Sequence, residues 1–126
     1  MQAEQYRIEN ENEILSPALI YYADKIRENT RRTIEIAGGA ARLWPHVKSH
    51  KMRAMLKMQM EMATRRFKCA TLAEAEMTAQ AGAEHILLAY PLVGPAAAAF
   101  VALVLQYPQA QVYALADRRA CLLALA

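Results

Sequence analysis

The chain has 126 residues, 56% hydrophobic and 21% charged, which is enough for one core of ordinary soluble composition and sets one domain as the expectation. A formal charge of +3 is mild, and the paired arginines Arg31-Arg32 and Arg65-Arg66 lack the interleaved aromatics of a nucleic-acid surface, so no nucleic-acid partner is expected. The longest greasy run, residues 95–105, is too short to span a membrane and reads as a buried helix.

Residues 1–15 form a polar lead-in with no apolar core of the kind a signal peptide carries. Ser16-Pro17 punctuates the start of structure, and residues 18–22 are a continuous apolar run of strand length. Asp24 is suited to cap a helix whose face carries Ile26, Thr30, Thr33, Ile34 and Ala37, and Gly38-Gly39 supplies a left-handed stop. A second strand is expected over 41–48, made irregular by Pro45. The following helix, about 51–63, holds Met52, Met55, Met58, Met60 and Met62. Such a helix suits either a core face or an adaptable binding surface, and positions 52, 55 and 56 fit the core.

A third strand, 66–70, meets Thr71-Leu72-Ala73-Glu74, a capping box in which the Thr71 hydroxyl and Glu74 carboxylate satisfy amides at a helix start. That helix ends near Gly82. A fourth strand follows at 85–90, and Pro95 opens a helix that Pro108 closes. A fifth strand covers 111–116, and Asp117 begins the last helix. Cys69 and Cys121 lie far apart in apolar surroundings without ligand spacing, which predicts reduced core residues and a cytoplasmic setting.

Strand centres near 19, 43, 67, 87 and 113 recur at a βα spacing, which implies a parallel α/β sheet with helices outside. A doubly wound sheet and part of a (β/α)8 barrel both fit. Tyr22-Ala23-Asp24 lacks the glycine-rich turn of a nucleotide fold, whereas barrels place chemistry at strand C-termini, where Lys48 falls.

The chemistry-bearing residues gather in Trp44-Pro45-His46-Val47-Lys48-Ser49-His50-Lys51. On a strand, His46 and Lys48 project from one face and Val47 from the other. A lysine works as a catalyst only as the free amine, which a nearby cation such as Lys51 favours. The same residues also suit a solvated basic loop.

Ser16-Pro17-Ala18-Leu19-Ile20, Arg27-Glu28-Asn29, the 45–51 segment, Phe67-Lys68-Cys69-Ala70-Thr71 with Glu74-Ala75-Glu76, and Tyr90-Pro91-Leu92-Val93-Gly94-Pro95 carry a resemblance. In this order they are similar to the start of the D-threonine aldolase and D-serine dehydratase group of alanine-racemase-like, fold-type III pyridoxal phosphate enzymes. The resemblance covers about 16–117. It implies the N-terminal portion of an alanine-racemase-type barrel over 16–126, with strand 18–22 pairing with a further β domain. It also implies pyridoxal phosphate carried covalently by Lys48 and not Lys51, a further cofactor contact at Thr71, and His46 or His50 as proton carrier or as orienter of Lys48. Trp44 departs from the family's usual arginine, which implies a lost polar contact near the cofactor.

The implied activity is retro-aldol cleavage of a β-hydroxy D-amino acid to glycine and an aldehyde. The alternatives are D-serine dehydration, amino-acid racemisation, or a non-catalytic module that only binds the cofactor. Later barrel strands and the metal ligands of the family's β domain have no counterpart in these residues. No metal site is expected here, and the chain is expected to be a fragment or a shortened relative that self-associates.

Overall fold

The structure, a computed structural model, describes residues 6–125. Residues 1–5 of the expected lead-in, and Ala126, lie outside the described residues. From residue 6 the lead-in is exposed and holds one 3-10 turn, Glu11–Glu13. Residues 18–22 form no strand among the described residues: Leu19 is 77% exposed, and no ladder partner lies beside it to satisfy its backbone.

Helix α1 (Ala23–Ala37) starts one residue before the expected cap. Tyr22 takes the cap position without a side-chain bond, and Asp24 sits in the first turn, where its charge suits the helix dipole. Gly38, at φ 75°, ends the helix in the left-handed region as its sequence position predicts. The expected strand at 41–48 is reduced to a single parallel bridge between His46 and Lys68, flanked by 3-10 turns at Ala40–Arg42 and Val47–Ser49. Pro45 explains the reduction, since it brings no N–H to a ladder; its carbonyl still accepts the Lys68 N–H at 2.9 Å.

Helix α2 (Arg53–Glu61) buries Leu56 completely and leaves its methionines half-buried, consistent with core packing. Strand β1 (Arg66–Cys69), helix α3 (Leu72–Gln80), strand β2 (His85–Pro91), helix α4 (Pro95–Gln106), strand β3 (Gln111–Leu115) and helix α5 (Arg119–Leu125) complete the order. The strands are parallel and run β1-β2-β3, with the His46 bridge on the outer edge of β1. Neighbours in the sheet therefore follow one another in sequence, with no reversal of order. A doubly wound sheet needs such a reversal at its ligand crevice, whereas a barrel winds in one direction.

Alternation gives the sheet two faces. Phe67, Cys69, Ile86 and Leu88 are buried in one cluster with Ala75 and Ala79 of α3 and Ala97, Phe100 and Leu103 of α4. The opposite face, with Lys68, Leu87 and Tyr113 in register and Leu115 two residues further along β3, is the one a closed barrel turns inward; here Tyr113 is 39% and Leu115 42% exposed. Both cysteines are free and buried. Among the described residues, no helix is long and apolar enough to cross a membrane.

Candidate active site

Val47 is fully buried and anchors the turn Val47–Ser49, with half-buried His46 and exposed Lys48 on either side of it. The motif is tied to itself by its own backbone. His46 Nδ1 accepts the Lys48 N–H at 3.2 Å, and the Val47 carbonyl accepts the N–H groups of His50 at 3.1 Å and Lys51 at 2.9 Å. His50 Nδ1 accepts the Met52 N–H at 3.0 Å, capping the approach to α2. Lys51 takes φ 50°, a left-handed conformation that a non-glycine residue holds only when its surroundings fix it.

Those surroundings come from α3. Glu74 is the one buried charged residue among the described residues. Its Oε1 lies 3.4 Å from Lys51 Nζ, and its Oε2 accepts the Ala70 N–H at 2.8 Å. The Thr71 hydroxyl accepts the Glu74 N–H at 3.2 Å, as a capping box requires. The carboxylate reaches one residue beyond the expected arrangement, to Ala70 and not to the cap's own amide.

Glu74 thus puts a buried carboxylate against Lys51 and close enough for its charge to act on His46 and His50, while the charges of Lys48 and Lys68 act on His46. Lys51 engages that carboxylate, while Lys48 forms no ion pair among the described residues. Burial holds the His46 imidazole below the usual histidine range, and the Lys68 and Lys48 charges push it the same way. Burial likewise lowers His50. Burial also pushes the Cys69 thiol up to about 11, so this sulfur, 3.4 Å from Thr78 Oγ1, is an inert core group.

His46, Lys48 and His50 therefore lie together on one turn. Thr71 joins them only through the Lys51–Glu74 pair, beside a cavity of about 210 Å³ lined by Lys51, Thr71, Ala73, Glu74 and Met77. A roomier cavity of about 410 Å³ between α1 and residues 43–45 is not lined by Lys48. Among the described residues, no group of histidine, cysteine and acidic side chains is placed to hold a metal.

Sequence reading missed a cluster at the other end of the strands. The Trp44 ring packs edge-on against Tyr113 at 5.8 Å and His85 at 6.3 Å, with the Arg66 guanidinium 6.0 Å from its centre. His85 Nδ1 and the Tyr113 hydroxyl are 3.1 Å apart. No sequence signal joins these four residues, because the parallel register alone aligns Arg66, His85 and Gln111. Trp44 therefore belongs to a layer at the strands' N-terminal ends, away from Lys48.

Residues 22–119 match the model of the alanine racemase N-terminal domain family. A solved structure, D-threonine aldolase from Filomicrobium marinum, is similar with a TM-score of 0.78 and 29% identity, over 89% of this chain and 30% of that one. No curated protein matches the chain.

Proposed function

Because the chain belongs to the alanine racemase N-terminal domain family, we propose that it forms part of a pyridoxal-phosphate-dependent lyase that cleaves β-hydroxy D-amino acids. The observation that carries the reading is Lys48: an amine at the C-terminal end of a barrel strand position, outside any ion pair among the described residues, on a turn whose buried carboxylate is engaged by the neighbouring lysine. The likeness to a D-threonine aldolase supports the choice of substrate class.

The residues present fit the cofactor. An aldehyde needs a primary amine outside any ion pair, and Lys48, exposed and in no ion pair among the described residues, supplies it, with the Lys48 and Lys68 charges both acting at His46. When bound, pyridoxal phosphate supplies an electron sink at the substrate's α-carbon. In the net reaction the β-hydroxyl loses a proton, the Cα–Cβ bond breaks to release an aldehyde, and Cα gains a proton to give glycine. With the cofactor bound, Lys48 would be the amine placed to move a proton at Cα.

The histidines are suited to holding rather than shuttling. Each uses Nδ1 to accept a backbone N–H, so its own proton sits on Nε2, and His46 fixes the turn that aims Lys48. Thr71 keeps a hydroxyl proton to donate to an anionic ligand while its oxygen caps α3. The two free, buried cysteines favour a reducing, cytoplasmic setting.

D-Serine dehydration starts from the same amine but removes the α-proton, and substrate spectra separate the two activities. With pyridoxal phosphate the chain should develop visible absorbance, and Lys48→Ala should abolish it. Absorbance that survives unchanged in Lys48→Ala would refute the assignment.

A further inference from the structure

The segment 48–51 offers two amines three residues apart, and amine chemistry alone does not choose between them. We propose that Glu74 is a positioning residue that makes the choice, holding Lys51 in an ion pair so that Lys48 is the amine left to react. The inference rests on the reading that Lys48 carries pyridoxal phosphate.

Three observations converge on Glu74. Its side chain is 5% exposed, so its charge is taken from water and calls for a partner; Lys51 Nζ, at 3.4 Å, is that partner. The carboxylate cannot swing away, because Oε2 accepts the Ala70 N–H at 2.8 Å and the Glu74 N–H is bonded to Thr71 Oγ1 at 3.2 Å. Lys51 is held from its own side as well, with its N–H on the Val47 carbonyl at 2.9 Å and its backbone in the left-handed region at φ 50°. An ammonium engaged by a fixed carboxylate has no lone pair for an aldehyde. Glu74 touches neither substrate nor cofactor in this account and acts through Lys51 alone.

Glu74→Gln is the informative variant, because the amide oxygen still accepts from Ala70 and the backbone cap on Thr71 is untouched, while the charge is gone. The chain is incubated with pyridoxal phosphate and reduced with borohydride: the amine adds to the aldehyde with loss of water, and hydride from the reductant fixes the new C–N bond. Peptide mapping then gives the ratio of adduct at Lys51 to adduct at Lys48. The wild type is expected to carry adduct chiefly on Lys48, and Glu74→Gln should raise the Lys51 share roughly five-fold, as befits loss of one partly exposed ion pair. A merely structural role for Glu74 would lower both yields and leave the ratio unchanged.

An unchanged ratio in a folded Glu74→Gln, with wild-type adduct on Lys48, would overturn this proposal and leave the functional reading standing. Wild-type adduct mainly away from Lys48 would instead defeat the functional reading. If Glu74→Gln does not melt cooperatively, trace labelling of the wild-type chain with acetic anhydride decides. Lys48 acetylated ahead of Lys51 supports the role of Glu74, and Lys51 equal or ahead overturns it.

Discussion

Val47 anchors the turn: its side chain is fully buried, with His46 half-buried before it and Lys48 exposed after it. The strand that alternation assumed is only one bridge long at His46, and Lys48 lies in the 3-10 turn that follows it. The Lys51–Glu74 pair was not legible, because nothing in either segment signals the other until β1 lies beside the turn. The histidines make a residue-scale prediction. Both are held below the usual range, so the folded state favours their neutral forms, and each Nδ1 must stay unprotonated to keep its amide. Their contribution to stability is full above the unfolded value of about 6.5 and is lost as pH falls from there through the folded values. Melting temperature should drop on acidification through that window, and His50→Asn, whose amide oxygen can still accept from Met52, should flatten part of the drop. An identical profile in the variant would contradict the assignment.

At the scale of elements, the sequence marks helix ends well because the signals are local. Gly38 stops α1, Thr71 caps α3 and Pro95 opens α4, each where its chemistry predicts. Strands are different, since a strand exists only with a partner. The apolar run at 18–22 has none among the described residues, and Pro45 leaves the 41–48 segment short of donors. Strand order was legible only to the extent that βα spacing implied parallel neighbours; the in-sequence order that favours a barrel came from the ladder itself. Thr71 gives the test at this scale. Thr71→Ala removes the acceptor for the Glu74 N–H and should cost about 1 kcal/mol in chemical denaturation. Thr71→Ser should recover most of the loss, and no difference between the two would show that the cap contributes nothing.

The molecule as a whole is a sector of a barrel wall, with helices on one face and an inward face left open. β3 has a free edge among the described residues, Tyr113 and Leu115 are part-exposed on the open face, and Leu122 and Leu123 of α5 are 59% and 66% exposed. Apolar surface beside an unpaired edge favours pairing with another copy. We therefore expect the 126 residues by themselves to run above monomer mass in size-exclusion chromatography with light scattering. A sharp monomer peak with cooperative unfolding would rule that out. We also expect no turnover of D-threonine above that of free cofactor by these residues alone, because positioning a substrate takes groups from more strands than this sector has. The central claim, that Lys48 is the amine through which this family member takes its cofactor, is tested most directly by borohydride reduction of the wild-type chain with pyridoxal phosphate and tandem mass spectrometry across residues 48–68. Adduct concentrated on Lys48 is the predicted result; adduct concentrated on Lys51 or Lys68 would contradict the account.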